Sequence, residues 1–584
     1  MFRKVLVANR GEIALRIIRT LREMGIASVA AYSDADRSAL FAQLADEAYR
    51  LGPAPAADSY LNVSAILEVA KKSGAEAIHP GYGFLAENAA FAEAVQSAGL
   101  TFIGPSPPAM RVMGDKIEAR RAVSKLGVPV VPGSDGPVES LEEAIEFAER
   151  TGYPIAVKAA GGGGGRGIRV VTSREQMQEA LEGARREASA YFKNPQIYLE
   201  RYFHDPRHVE IQVLGDAHGN LIHLGERDCS VQRRHQKVIE ESPSPAVDKN
   251  LRDRMGEAAI RAARSVDYSN AGTVEFLLTR EGEFFFLEMN TRIQVEHTVT
   301  ELVTGLDLVR EQVLVAAGEP LSLRQEDVVL RGHAIECRIN AEDPSNGFLP
   351  SPGRITSYRE PSGPGVRVDS GVGVGSEISG LYDPMIAKLI VHDTDRESAR
   401  RRMLRALGEF EIGGVKSLLG FHQALLGHPC FIAGETCHGL VESELLAERA
   451  NQFSHPTTSL GSSPDGSLAE RTTIAEVDGR RVEVKVLVPE PPYRDLARRR
   501  RERAAFDAAG SGSGIVGSPM QGTVLEVKVA EGDTVAVGQV VCIVEAMKME
   551  NEVTSPWGGT VTEVAVSAGV PVTTGQPICV IAAQ

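Results

Sequence analysis

The stretch SPMQGTVLEVKVAEGDTVAVGQVVCIV (518–544) returns 37 positions later as SPWGGTVTEVAVSAGVPVTTGQPICVI (555–581), aligned without a gap. The offset carries Gly522 to Gly559, Gly532 to Gly569, Gly538 to Gly575 and Cys542 to Cys579. Each copy holds about four short strands between glycine turns and is too small to close a core alone. The repeat therefore predicts two copies packed as a pseudo-twofold flattened barrel. Its connector, EAMKMEN (545–551), puts Lys548 at the tip of a hairpin, at a point the duplication does not repeat. A lysine in a turn is ordinarily unremarked surface. One set between Met547 and Met549 at the unique point of a duplicated module is singled out by the duplication as a candidate functional residue.

The repeat occupies only 515–584 of 584 residues, which leaves room for several further domains. A hydrophobic share of 43%, with no apolar run near 18 residues, predicts soluble globular domains and no membrane span. The net charge of −15 argues against nucleic acid held by the overall field, while leaving room for a local basic pocket. Six cysteines without a C-x-x-C pair fit reduced thiols. MFRKVLVANRGE runs directly into strand VLVA, with neither a secretory apolar region nor a transit segment, so a cytoplasmic location is expected.

Residues 1–110 alternate buried strands with helical patterns, an open α/β layer, and the turn Asn9-Arg10-Gly11-Glu12 lacks dinucleotide-site spacing. HPGYGFLAEN (79–88) is a loop at a strand's carboxyl end, a plausible but weak site element. Residues 111–330 read as an α+β domain, with a lid at about 130–203, and 331–447 as a further α/β layer with strand GHAIECRIN. In 448–514 a Ser/Pro/Gly-rich stretch precedes TTIAEV-DG-RRVEVKVLV, a hairpin with an Asp-Gly turn and a possible docking element. PEPPY, the basic run RRRRER and the flexible AAGSGSG follow; the basic run, without interleaved aromatics, reads as a solvated helix face.

Two constellations carry chemistry. IAVKAAGGGGGRGIRVV (155–171) sets five glycines between two strands, where backbone N–H groups surround phosphate oxygens with no Cβ in the way. Lys158 supplies charge; Arg166 either joins it or caps the loop. In GTVEFLLTREGEFFFLEMNTRIQVEH (272–297), a two-residue turn at Glu281-Gly282 pairs residues whose numbers sum to 563, so Glu275 faces Glu288. Like charges opposed on a ladder are destabilising unless a cation bridges them, and paired carboxylates with the Asn290 amide suit magnesium. Strand alternation sends Asn290, Arg292, Gln294 and Glu296 to the side of Glu288 while the chain stays extended. That face combines metal ligands, an anion clamp and a candidate general base. RHVEIQV and CSVQRRHQKVIEE add His208, Gln232, His235 and Lys237, which count only in company.

KAAGGGGGRG, RHVEIQV, RRHQK and EMNTRIQVEH resemble the biotin carboxylase family of ATP-grasp enzymes, and EAMKMEN on a duplicated barrel resembles a biotinyl carrier domain. The order resembles the α subunit of bacterial, especially actinobacterial, acyl-CoA carboxylases. The resemblance implies a multidomain α/β fold: N-terminal, ATP-grasp and C-terminal domains, then an all-β biotinyl/lipoyl-like barrel. It implies covalent biotin on Lys548, ATP held by Lys116, Lys158, Gly164, Gly165, Glu200, Arg201, Tyr202, Phe203, His208, Gln232 and His235, and Mg2+ or Mn2+ held by Glu275, Glu288 and Asn290. Lys237, Arg292, Gln294 and the Val295 backbone would hold bicarbonate, Glu296 would be its base, and Arg338 would stabilise the biotin enolate. A homo-oligomer formed through the carboxylase domain, a carboxyltransferase β subunit and a biotin protein ligase are the implied partners. A two-subunit pyruvate carboxylase and a non-catalytic biotin or lipoyl carrier scaffold are the alternatives.

Overall fold

The structure, a computed structural model, describes residues 1–134, 136–159, 168–192, 196–234, 236–453, 468–477, 480–489, 514–546 and 549–582. Gly164, Gly165, His235 and Lys548, with the rest of the five-glycine run and the Asp478–Gly479 turn, lie outside these residues. The described residues form two compact units, one of 1–379 and 384–453, the other of 380–383 and 454–584.

Strand β1 (Lys4–Val7) is centred on Val5, Leu6 and Val7, all without exposed surface, as an apolar run buried on both faces requires. It lies centrally in a parallel sheet ordered β3-β2-β1-β4-β5, with β2 (Ala27–Ser33), β3 (Glu47–Gly52), β4 (Ala77–His79) and β5 (Thr101–Phe102). Helix α1 (Gly11–Glu23) follows β1 directly, starting on Gly11 at φ +65°. A small antiparallel sheet, ordered β7-β6-β8, joins β6 (Ile155–Ala159), β7 (Ile168–Val171) and β8 (Ile197–Arg201).

The largest sheet has eight strands. It runs β13 (Phe284–Asn290), β12 (Asn270–Leu278), β9 (Arg207–Gly215), β10 (Leu221–Arg233), β11 (Gln236–Ser242), β14 (His333–Asn340), then Met385–Asp393 and Val366–Ser370. The strands within residues 331–447, expected as a further α/β layer, extend the sheet of the preceding segment through the β11–β14 ladder. Helix Lys249–Arg264 backs β9 and β12, its Ala258, Ala259, Ala262 and Ala263 fully buried with Val209, Ile211, Val274 and Phe276. Small side chains on the helix let it sit close to a sheet of branched and aromatic ones.

The β12–β13 hairpin reaches its register by an unexpected route. The Thr279 N–H donates to Glu283 O at 2.8 Å, closing a three-residue loop, and Phe276 pairs with Phe286 and Leu278 with Phe284, one position away from a sum of 563. A bulge then inserts Leu287, and beyond it Glu275 faces Glu288 and Thr273 faces Asn290. The two-residue turn is corrected to three, and the bulge cancels the shift.

In the second unit, one four-stranded sheet is ordered Ile515–Gly517, Pro577–Ala582, Gly559–Val564, Thr534–Val535, the other Met549–Thr554, Val540–Ala546, Gly522–Val527, Pro571–Val572. Gly522 pairs with Val572, and its repeat mate Gly559 pairs with Val535, the repeat mate of Val572. Each copy therefore lends a short strand to the sheet of the other. A Cβ on Gly522 would stand 2.3 Å from Glu545 O, and one on Gly559 2.1 Å from Ala582 O, so both copies need glycine there. Leu468–Val477 and Arg480–Pro489 pair along ten residues as a two-stranded ribbon. Among the described residues no helix is long and apolar enough to cross a membrane.

Candidate active site

One polar face of the large sheet collects acids and bases that would be costly singly. Arg227 on β10 has no exposed surface, and all five of its N–H groups are matched: Glu210 at 2.5 Å, Gln212 at 2.7 Å, Gln294 at 2.8 Å, and the Thr273 and Thr300 hydroxyls at 3.0 Å. Beside it the Lys237 ammonium spends its three donors on three carboxylates, Glu210 at 2.6 Å, Glu275 at 3.1 Å and Glu296 at 2.6 Å. Burial works against every one of these charges. Even so, the three acids hold the Lys237 ammonium well above the usual lysine range, and Lys237 with Arg338 holds Glu296 well below the usual carboxylate range.

Glu275 and Glu288 face each other but titrate apart. Burial alone would raise Glu275, yet Lys237 and His208, whose Nε2 lies 2.8 Å away, hold it below the usual range; the Asn290 and Gln294 amides donate to the same carboxylate at 2.8 and 2.7 Å. Glu288 moves the other way, raised by burial and by the charge of Glu275, with Lys116 opposing. Two acids pushed apart by mutual repulsion, with an amide beside them, fit a hard divalent cation that takes oxygen ligands. The Asn290 amide oxygen accepts from Arg292 at 2.9 Å.

The chain leaves β13 at Asn290, so the expected extended alternation ends there, and residues 292–296 reach the site from an irregular segment instead. They still converge. Arg292 donates to Glu87 at 2.8 Å, Gln294 lies between Arg227 and Glu275, and Glu296 precedes helix His297–Thr304 with Lys237 and Arg338 on its carboxylate. The Val295 carbonyl accepts from Lys388 at 2.9 Å. Arg338, on β14, binds Glu296 at 2.9 Å and Glu240 at 2.6 Å.

On the flank, Lys158 and Arg120 both bind the Glu200 carboxylate. Arg201 and Tyr202 donate backbone N–H groups to Pro132 O and Pro154 O, and the Phe203 ring stacks on Phe285 at 5.0 Å with Arg201 above it at 5.2 Å. Gln232 donates to Cys229 O at 2.9 Å and faces Lys237 on the ladder, while Lys116 opens helix Lys116–Lys125.

Sequence reasoning missed Glu87, Glu210, Arg227, Glu240 and Lys388. A signal existed for some of them. Glu210 interrupts the apolar strand RHVEIQV and Lys388 the strand MIAKLIV, and a lone charge at a buried strand position requires a partner. Glu87 lies in the loop HPGYGFLAEN, but nothing local names Arg292 as its partner.

Four family descriptions match in series: "Biotin carboxylase, N-terminal domain" over 1–110, "Carbamoyl-phosphate synthase L chain, ATP binding domain" over 115–324, "Biotin carboxylase C-terminal domain" over 336–443 and "Biotin-requiring enzyme" over 515–581. Biotin carboxylase 1 of Bacillus subtilis is 56% identical over 436 residues, 74% of this chain and 97% of that protein. The biotin-dependent acyl-coenzyme A carboxylase alpha3 subunit of Mycobacterium leprae is 46% identical over 562 residues, 94% of each chain. The biotin carboxylase domain dimer of Hydrogenobacter thermophilus 2-oxoglutarate carboxylase, solved with MgADP, ADP and bicarbonate, superposes with a TM-score of 0.71 at 47% identity, covering 76% of this chain and 99% of that one.

Proposed function

The chain belongs to the biotin carboxylase family, and on that premise we propose that it carboxylates the biotin of its own carrier domain, using ATP and bicarbonate, as the α subunit of an acyl-CoA carboxylase. The observation that carries the catalytic half is the Lys237 ammonium bound to Glu210, Glu275 and Glu296 at once, beside the opposed pair Glu275–Glu288. Glu275, Glu288 and Asn290 would hold the magnesium, which when bound would neutralise phosphate charge during transfer. Lys116, Lys158, His208 and the 200–203 segment hold the nucleotide, with Gln232, Gly164, Gly165 and His235.

Bicarbonate sits between Arg292, Gln294, Lys237 and the Val295 backbone. There Glu296 takes its proton as an oxygen attacks the γ-phosphorus and ADP leaves. Carboxyphosphate then divides into carbon dioxide and phosphate, and the phosphate removes the proton of the biotin ureido nitrogen that becomes carboxylated. Arg338 would meet the negative charge that builds on the ureido oxygen.

The acyl-CoA assignment is supported by the α3 subunit, which aligns along both the carboxylase and the carrier segments. Its partners are a second copy of the carboxylase domain, a carboxyltransferase β subunit and a biotin protein ligase. Incubating the biotinylated chain with candidate β subunits, a panel of acyl-CoAs, and pyruvate with a pyruvate-type partner decides the matter. Carboxyl transfer to an acyl-CoA is expected; transfer to pyruvate alone would overturn the assignment, and no ATP cleavage with bicarbonate and free biotin would overturn the carboxylase reading itself.

A further inference from the structure

A second pair of acids faces across a ladder, and the reaction above does not use it. The β11–β14 register sets Glu240 opposite Glu336, both without exposed surface, at a Cβ separation of about 4.5–5.5 Å for such positions. Each carboxylate is half satisfied. One oxygen of Glu240 accepts from Arg338 Nε at 2.6 Å, and one oxygen of Glu336 accepts from the Thr298 hydroxyl. The other oxygen of each, Glu240 Oε2 and Glu336 Oε1, is buried with no hydrogen-bond partner among the described residues. Two bare anionic oxygens in neighbouring buried groups are costly twice over, through lost solvation and through repulsion.

The surrounding charges do not remove that cost. Arg338 is shared with Glu296, and Lys388, opposite Arg338 on the next strand, is taken by the Val295 carbonyl at 2.9 Å and by Glu12 at 3.3 Å. Cys229 approaches from β10, and its thiol is pushed up by burial and by neighbouring carboxylates that include Glu240. The two cations beside the pair, Arg338 and Lys388, are thus each already shared with another acid, Glu296 and Glu12.

We infer that Glu240 and Glu336 hold one proton between their two bare oxygens, and that this carboxyl–carboxylate pair fixes Glu240 against Arg338, making Glu336 a positioning residue for Arg338. The proton satisfies both orphaned oxygens with one bond. It also leaves a single negative charge on the pair, held by the guanidinium. Burial pushes Glu240 up to about 8, with the charges of Glu336 and Glu296 adding to it, and Glu336 up to about 7, with Glu296 adding to it. Since native values lie above the unfolded ones, stability from the pair is fully present below the ordinary carboxylate range and is lost as pH rises through 7 to 8. Ionisation of the second acid would then draw Arg338 inward.

The inference rests on Arg338 being the group that meets the ureido charge, so the test has one arm that depends on that role and one that does not. Glutamate-labelled full-length protein, wild type and Glu336→Gln, is titrated by infrared spectroscopy and by thermal melting. Wild type should show a carboxylic-acid carbonyl band near neutral pH that bleaches on alkaline titration and is missing in Glu336→Gln. The melting temperature of Glu336→Gln relative to wild type should climb from pH 5 to 8 and level off above. Should the variant fail to fold, Glu240→Gln takes its place and should lose the same band, because burial raises Glu12 and Glu288 too and the wild-type band alone would not separate them from this pair. Absence of the band, or a melting difference that does not vary with pH, overturns the shared proton. In the dependent arm, kcat for biotin carboxylation should keep its value to higher pH in Glu336→Gln, with the KM for ATP unmoved. A band that bleaches as expected with an unshifted kcat profile would overturn the positioning role alone; the reading of Arg338 is overturned only if Arg338→Gln carboxylates biotin at the wild-type rate.

Discussion

At the scale of single residues the site is a problem in charge balance that one lysine solves. Lys237 is the common partner of Glu210, Glu275 and Glu296, and Arg227 already has its own donors filled. Removing the ammonium leaves buried carboxylates facing one another. Lys237→Met should therefore cost about 3–5 kcal/mol of stability, the scale for breaking a buried pair from one side. It should also abolish bicarbonate-dependent ATP cleavage. The sign with pH follows from the depressed native values of Glu275 and Glu296, which contribute stability above the unfolded carboxylate range and lose it as pH falls through the native values. In the variant that depression is lost. The deficit should be widest at neutral pH and should close under acid, where the carboxylates protonate in both proteins. Denaturant melts of the two proteins at neutral and acid pH check this; a deficit that grows on acidification would show that Lys237 is not what holds the acids ionised.

At the scale of elements, the β12–β13 hairpin shows what could be read in the sequence and what could not. The facing of Glu275 and Glu288 was reached from the sequence only because two unread features cancel, a three-residue turn and a bulge. The turn length and the bulge were not legible, since inserting Leu287 changes no local propensity and is decided by how Phe276, Phe284 and Phe286 pack against helix Lys249–Arg264. Likewise, the strand β14 was plain from GHAIECRIN, but its joining the sheet of an earlier segment is a contact between distant parts of the chain that no local pattern encodes. The same holds for Lys388: its buried position was readable, and its partner Val295 was not. The bulge itself is open to test. Deleting Leu287 keeps Glu288 across from Glu275 but removes the local twist that aims its carboxylate. The protein should keep its circular dichroism and nearly its melting temperature while ATP cleavage falls about 10²-fold, the scale of an ångström's misplacement. A fully active deletion would make the bulge incidental.

At the scale of the whole molecule, two units with separate cores divide the work, and their failures should be separable. The barrel depends on strand exchange between its two copies, so a defect in one copy disturbs both. Gly559 is the sensitive point: a Cβ there would meet Ala582 O at 2.1 Å and Ile581 Cγ2 at 2.9 Å, and the backbone cannot yield without breaking the Gly559–Val535 pairing. Gly559→Val should destabilise the carrier by at least about 1–3 kcal/mol. Lys548→Arg, by contrast, removes the proposed attachment amine from the connector between the two sequence copies and should leave the barrel intact. With free biotin as acceptor, both variants should cleave ATP at the wild-type rate, since Glu275, Glu288, Lys237 and Glu296 all belong to the other unit. With a β subunit and acyl-CoA, Lys548→Arg should transfer no carboxyl group, and streptavidin blotting after co-expression with a biotin ligase should detect no label on it. Gly559→Val should label weakly, and more so on cooling as the folded barrel repopulates. Persistent labelling of Lys548→Arg would displace the attachment site from the connector, and loss of free-biotin activity in Gly559→Val would mean that the two cores are not independent.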